Sequence, residues 1–409
     1  MIVKDNMWRQ RRLIVPKRTS ELVALVALSS TLFLFLHTRD LHSRLREMEV
    51  RLQPGENEIS GNQPSSDGEI QLATAIQSPQ SSRYSTIKLY DHHEMLDLNA
   101  LNNTKRADKH VLFFNRVPKV GSQTFMQLLR RLSVRNNFAF NRDQVQRVET
   151  IRLAPYEQRQ LVRLVNSYNE PSVYVKHVCF TNFTEFNLPQ PIYMNVVRDP
   201  VERVISWYYY VRAPWYYVER KQIFPDLPLP DPEWLKKDFE SCVVNGDREC
   251  RYVEGEYHEG IGDHRRQTLF FCGHSEKCMP FNTVGALERA KLSVEKHYAV
   301  VGVLEDINTT LTVLENYIPQ FFEGATELYW VLLIIIFFFF FTDEMNSFKK
   351  INRNSFKPPV SEAIKEMVRK NFTREIEFYQ FCRQRLHRQL RALKLSSTVP
   401  TTQNEASSL

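Results

Sequence analysis

The stretch VLFFNRVPKVGSQTF, Val111 to Phe125, constrains this chain more tightly than any other. Its apolar run, Val111–Phe114, reads as a buried strand. A loop with Lys119, Gly121, Ser122 and Thr124 follows. Apolar residues then recur at Phe125, Leu128, Leu129 and Leu132, the spacing of one helix face. A strand, a small-residue loop with one lysine and a helix N-terminus make an anion cradle, because backbone N–H groups and the helix dipole point at the ligand. The pattern GxxxxGK[ST] is absent and no Ser or Thr directly follows Lys119, which argues against a magnesium-dependent NTPase. Taken alone, the segment also fits an ordinary strand–loop–helix joint with an exposed lysine.

A second segment of the same form, PIYMNVVRDPVERVISWYYY, spans Pro191 to Tyr210. Strand Ile192–Val197 runs into a polar turn, and a helix opens at Pro200, a favoured first-turn position. Arg198 stands at the carboxyl end of the strand, where ligands bind in open α/β sheets. An arginine there suits forked bonding to phosphate, and Ser206, two turns into the helix, adds a hydroxyl. Two cradles on neighbouring strands point to a nucleotide with phosphates at both ends.

RVPKVGSQT followed by RDPVERVIS resembles the sulfotransferase family, whose donor is 3′-phosphoadenosine 5′-phosphosulfate (PAPS). Further segments resemble the uronosyl 2-O-sulfotransferases of heparan, dermatan and chondroitin sulfate, and most of all the insect Pipe-type sulfotransferases. These are YVKHVCFTNFTEF (Tyr174–Phe186), LFFCGHSEKC (Leu269–Cys278), ALERAKLSV (Ala286–Val294), VVGVLEDI (Val300–Ile307), FFEGATELY (Phe321–Tyr329) and REIEFYQF (Arg374–Phe381). The resemblance covers Val111 to His387. It implies an α/β, P-loop-like domain over residues 106–392, with a central, mostly parallel sheet flanked by helices.

The charge agrees. A formal +7 and a pI near 9.0 favour an anionic partner: nucleic acid, an acidic membrane or a polyanionic glycan. No recognisable nucleic-acid module accompanies that charge, so the glycan leads. With 409 residues, 43% of them hydrophobic, the chain can build one large domain or two smaller ones.

Leu22–Leu36 is an uncharged, mostly apolar run preceded by Lys4, Arg9, Arg11, Arg12, Lys17 and Arg18. The positive-inside rule leaves residues 1–21 as a cytosolic tail and makes 22–36 a signal-anchor transmembrane helix. His37, Thr38, Arg39 and Asp40 offer no small-residue cleavage site for the rival signal-peptide reading. As a helix the run is about 22 Å long, short for a bilayer, and suits the thinner membranes of the early secretory pathway. The expected location is the Golgi membrane, with the catalytic domain lumenal. Residues 37–105 read as a stem, rich in Ser, Gln, Gly and Pro from Pro54 to about Ser85, and 393–409 as a disordered tail.

Four N-x-[ST] sites, Asn102, Asn182, Asn308 and Asn371, fall on the lumenal side. Six cysteines allow fifteen pairings. The resemblance implies two local bridges, Cys242 with Cys250 and Cys272 with Cys278. Cys179, in a strand, and Cys382 are either buried thiols or a long-range pair. Zinc at Cys272, His274 and Cys278 is a competing reading, disfavoured by the lack of tight CxxC pairs.

Sulfuryl transfer needs a base for the acceptor hydroxyl, cations around the sulfuryl oxygens and stabilisation of the departing phosphate. The resemblance implies His177, near the end of a strand Val173–Phe180, as the base, and an imidazole suits that work near neutral pH. It assigns Lys119 to the bridging oxygen of the leaving phosphate. Arg116, Gly121, Ser122, Gln123 and Thr124 complete the 5′ cradle, and Arg198 and Ser206 take the 3′-phosphate. No metal is implied. The aromatic stretch Trp207–Tyr210 and Trp215–Tyr217 mostly packs its helices, and Arg212 is the acceptor candidate at a position where the family places an arginine. Arg265, Arg266, Lys349 and Lys350 are weaker candidates. Arg383, Arg385, Arg388 and Arg391 read as a solvated helix face.

One segment departs from the family. VLLIIIFFFFFT, Val331–Thr342, replaces a short polar connection with eleven consecutive apolar residues. They are too few to span a membrane and lack helix or strand periodicity. Translated intron is one account, since polypyrimidine tracts encode phenylalanine runs. The expected activity is sulfuryl transfer from PAPS to a glycan hydroxyl, foremost the 2-OH of a uronic acid in a glycosaminoglycan or glycoprotein glycan. The resemblance hints at a trimer. The rivals are a non-catalytic glycan-binding protein on the same fold and a nucleotide kinase-like enzyme.

Overall fold

Five parallel strands form one sheet. They are β1 (Val111–Asn115), β2 (Ala139–Arg142), β3 (Ser172–Lys176), β4 (Ile192–Val197) and β5 (Tyr298–Val303), in the order β2-β3-β1-β4-β5. The structure, a computed structural model, describes residues 100–147, 150–256, 266–338 and 357–398. The expected signal-anchor Leu22–Leu36, the expected stem before residue 100, Arg265, Lys349, Lys350, the end of the apolar insert and residues 399–409 lie outside the described residues. Among the described residues no helix is long and apolar enough to cross a membrane.

Strands β1, β3, β4 and β5 are buried along their whole length, as befits a parallel sheet covered on both faces by helices. Helix α1 (Ser122–Arg135) buries Phe125, Leu128, Leu129 and Leu132 together with Met126. It is followed by α2 (Pro155–Asn166), α3 (Pro200–Arg212), α4 (Pro214–Ile223), α5 (Thr268–Cys272) and α6 (Val284–His297). Then come α7 (Ile307–Tyr317), α8 (Ala325–Phe338), α9 (Glu362–Lys370) and α10 (Thr373–Thr398). The Asp199 carboxylate starts α3 by accepting the N–H groups of Val201 (3.0 Å) and Glu202 (2.9 Å), with Pro200 in first position.

Strand order places the site. The chain leaves β1 towards β2 on one side of the sheet and leaves β4 towards β5 on the other. Adjacent strands whose exits diverge open a crevice outside their carboxyl ends. The segments after β1, Arg116–Gly121, and after β4, Arg198–Asp199, border that crevice.

Several expectations change. The strand expected to run to Phe180 ends at Lys176, because the Asn115 amide takes the Val178 carbonyl (3.3 Å) while Cys179 N–H turns to Ile151 and Phe180 N–H to Phe270. Cys179 therefore lies beyond the strand. Cys242–Cys250 and Cys272–Cys278 are disulfides, which removes both thiolates from the zinc alternative. His274 instead accepts the Leu153 N–H on Nδ1 (3.0 Å) and meets the Thr181 hydroxyl with Nε2 (2.8 Å). Cys179 and Cys382 are buried free thiols. The backbone of Val331–Phe338 continues helix α8; a run apolar on every face hides the helical period. Helix α10 extends to Thr398, into the expected tail. Arg385 is buried and bonds the Tyr298 carbonyl (3.0 Å), so it leaves the solvated face expected of its helix.

Candidate functional site

Register builds one corner of the candidate site. The parallel pairing of β1 and β3 ends with Asn115 opposite Lys176, so the next residues of both strands, Arg116 and His177, emerge side by side. The Arg116 N–H reaches back to the Lys176 carbonyl (3.0 Å). The His177 Nδ1 lies 2.9 Å from the Arg116 carbonyl. A carbonyl only accepts, so Nδ1 carries the proton and Nε2 keeps a lone pair. Burial, then the Arg116 guanidinium, holds His177 well below the usual imidazole range, so the ring is neutral. A neutral ring with a fixed tautomer is a base at the carboxyl end of the sheet.

The loop after β1 is held from inside. The Ser122 hydroxyl donates to the Val117 carbonyl (2.8 Å), and the Arg116 guanidinium donates to the Gln123 amide oxygen (3.1 Å). The Thr124 N–H bonds the Gly121 carbonyl (2.9 Å). Ser122 thus ties the loop with its side chain, and the N–H groups of Gly121, Ser122 and Gln123 lack partners within the helix. Gly121 sits at φ +75°, and a Cβ there would lie 2.5 Å from Leu304 Cδ1. Conformation favours glycine at this position, and a Cβ would also have to displace the end of the Leu304 side chain.

Lys119 also adopts a left-handed conformation, φ +65°, which costs a residue with a Cβ and marks a constrained loop. Its ammonium lies 3.9 Å from the centre of the Tyr210 ring. Burial, followed by the nearby charges of Arg198 and Lys357, lowers its pKa from 10.5 to about 7. The lysine is therefore poised near neutrality.

The two cradles are joined. Arg198 Nη1 donates to the Lys119 carbonyl (3.3 Å), and the fully buried Arg203 donates to the Pro118 carbonyl (3.3 Å). Glu202 (3.8 Å) and Glu305 (3.9 Å) flank the Arg198 guanidinium. Ser206 lies four residues after Glu202 and four before Tyr210, so all three share a face of α3. Lys357 bonds Glu202 (3.4 Å) and Lys365 pairs with the other Glu202 oxygen (3.0 Å), so two described cations return to the site from beyond the apolar insert.

Beside His177, a small cavity of about 80 Å³ is lined by Arg116, Arg142, Met126, Lys176 and Asp143, the last two ion-paired. An aromatic cavity of about 430 Å³ adjoins it in sequence, lined by Arg147, Trp207, Tyr216, Tyr217, Arg220 and Trp234 among others. Arg220 ties the two by donating to the carbonyls of Gln146 (3.4 Å) and Arg147 (2.5 Å).

Arg212 is placed differently from what an acceptor ligand needs. It is 5% exposed, lies between the rings of Tyr208 (3.5 Å) and Trp234 (4.0 Å), and donates to Trp234 O, Tyr208 O and Glu249. Arg266 is also buried, at 1% exposure. Sequence reasoning missed Gln267, Glu305 and Lys357, whose contacts to this site span more than 65 residues of chain.

Comparison with known proteins adds identity to this geometry. Residues 102–382 match the model of the Sulfotransferase family. Uronyl 2-sulfotransferase homolog pip of Drosophila melanogaster is 36% identical over 98% of this chain and 96% of its own length. Heparan sulfate 2-O-sulfotransferase 1 of Gallus gallus is 29% identical over 76% of this chain and 82% of its own. Uronyl 2-sulfotransferase of Mus musculus is 29% identical over 70% and 64%.

Proposed function

This chain belongs to the sulfotransferase family, and from that premise we propose that it moves the sulfuryl group of PAPS to the 2-OH of a uronic acid in a glycosaminoglycan or glycoprotein glycan. The observation that carries the reading is the corner formed by neutral His177, its tautomer set by Arg116, beside a loop that presents Lys119 and helix-terminal N–H groups.

His177 Nε2 takes the acceptor hydroxyl proton as the oxygen attacks sulfur. Protonated Lys119 offsets charge on the bridging oxygen of the departing phosphate, and the N–H groups of Gly121, Ser122 and Gln123 hold the 5′ end. Arg116 and Thr124 border that cradle. Arg198, with Ser206 on the adjoining helix face, binds the 3′-phosphate, and Lys357 adds positive charge. The residue types present fit a nucleotide with phosphates at both ends. The sulfuryl group passes directly to the acceptor in this scheme, without a metal.

Arg142 beside His177 and Arg220 in the aromatic cavity are cations suited to the carboxylates and sulfates of the acceptor, whereas Asp143 already holds Lys176 and Asp226 holds Arg147 (2.5 Å). The family resemblance keeps Arg212 as an acceptor candidate, against its packing. The relatives carry sulfotransferase names and lend no support to a non-catalytic binding protein.

A lumenal Golgi location, anchored as a single-pass type II protein by Leu22–Leu36, belongs to the same reading. So do glycans at Asn102, Asn182, Asn308 and Asn371, a trimeric assembly and a nonnative Val331–Thr342. Incubation of the full chain with labelled PAPS and heparan, dermatan, chondroitin and glycoprotein acceptors, followed by disaccharide mapping, tests the reading. Label on uronic acid O2 supports it; label on the amino sugar alone overturns the assigned position.

A further inference from the structure

We infer that one face of the C-terminal helix α10, carrying Glu375 and Tyr379, positions Arg198 for the donor's 3′-phosphate. The inference rests on the reading of Arg198 as the ligand of that phosphate.

Arg198 follows the last residue of β4, where the sheet no longer supplies partners for its backbone. Gln267 takes over both groups. Its amide oxygen accepts the Arg198 N–H (3.3 Å) and its amide nitrogen donates to the Arg198 carbonyl (2.9 Å). Gln267 is in turn held by Glu375, whose carboxylate accepts the N–H groups of Gln267 (2.9 Å) and Thr268 (3.2 Å) and the Thr268 hydroxyl. Both side chains have no solvent exposure.

A second support reaches the same arginine from its other flank. Glu305, after β5, accepts the Asp199 N–H (3.1 Å) and lies 3.9 Å from Arg198 Nε. Its other oxygen accepts the Tyr379 hydroxyl (3.2 Å). Glu375 and Tyr379 are four residues apart, so they project from one face of α10. One helix face thus fixes the backbone of Arg198 through Gln267 and steadies its guanidinium through Glu305.

Packing alone does not account for this choice. A buried carboxylate is costly unless its lone pairs are used, and an apolar residue would serve an ordinary helix contact. Glu375 directs its oxygens to the segment that holds the Arg198 backbone, with the buried Arg203 as a nearby compensating charge. These are positioning residues: they act through Arg198 and touch no part of the donor in this scheme.

Calorimetric titration of the full chain with adenosine 3′,5′-bisphosphate and with adenosine 5′-monophosphate isolates the contribution of the 3′-phosphate. Tyr379→Phe and Glu375→Gln should each cut the preference for the bisphosphate by about three- to tenfold, the scale of one buried hydrogen bond. Affinity for the monophosphate should hold. Arg198→Ala should abolish the preference. If Arg198→Ala retains it, the reading of Arg198 itself fails. If Arg198→Ala loses it while the α10 variants keep it, or if those variants weaken both nucleotides equally, the positioning role is overturned. Should Glu375→Gln fail to fold, Tyr379→Phe carries the test alone, since it removes a single hydroxyl.

Discussion

Lys119 should give the enzyme an alkaline limit near neutrality. Burial and the charges of Arg198 and Lys357 bring its pKa from 10.5 to about 7, a differential cost to the protonated form of about 5 kcal/mol. A lysine meant to stabilise a departing phosphate works only when protonated. In the free enzyme about nine in ten Lys119 side chains carry the proton at about pH 6, and about one in ten at about pH 8. The kcat/KM for the donor reports the free enzyme, so it should fall about tenfold per pH unit above 7. The acid limb lies below pH 6.5, because His177 is held below that value. Donor phosphates beside the ammonium restore its proton affinity, so the limb of kcat should move to higher pH. Initial rates with labelled donor between about pH 5 and 9 provide the profile. Lys119→Arg should lose the alkaline limb even if slower, since a guanidinium keeps its proton. A wild-type kcat/KM flat to about pH 9, or an unchanged limb in Lys119→Arg, would refute the reasoning.

Gly121→Ala forces a Cβ into the left-handed region, at about 1–2 kcal/mol, and against Leu304 Cδ1 at 2.5 Å; calorimetry should show donor affinity down by at least about tenfold. Arg212→Ala strips Glu249 of its guanidinium and empties the slot between Tyr208 and Trp234, so chemical denaturation should show a loss of about 3 kcal/mol. Lys should not rescue it, because an ammonium cannot stack and fork as a guanidinium does; lost acceptor binding at unchanged stability would restore Arg212 to the acceptor site. His177, His274 and His297 all have folded pKa values below the ordinary imidazole value, His274 at about 4. The unfolded chain therefore binds protons that the folded chain refuses, and this stability, present above about pH 6.5, drains away as pH falls below it. Melting scans should show Tm dropping from neutral pH towards about pH 5; a constant Tm contradicts these surroundings.

Local pattern and register made the two strand-end loops of the candidate site legible. Val111–Phe114 and Ile192–Val197 are unbroken apolar runs, and the polar residues after them had to emerge at strand ends. His177 was proposed through KHVCFTNF, although its strand ends one residue earlier because the Asn115 side chain captures the Val178 carbonyl. Strand β2 was not visible: AFNR is short, lies at the sheet edge and carries no apolar run. Nor could spacing reveal that Gln267 and Glu375 support Arg198, or that Glu249 and Trp234 claim Arg212. Those contacts join distant segments through single polar side chains, which leave no period to read. The resemblance implied an acceptor role for Arg212, while Tyr208, Trp234 and Glu249 hold its guanidinium in the fold.

In the proposed reaction His177 removes the acceptor proton during sulfuryl transfer. Single-turnover transfer from labelled PAPS, comparing the full chain with His177→Ala, tests it most directly when donor affinity is measured on the same preparations. His177→Ala should transfer label about 10²–10⁴-fold more slowly with donor affinity retained. Transfer by His177→Ala at the wild-type rate would contradict it.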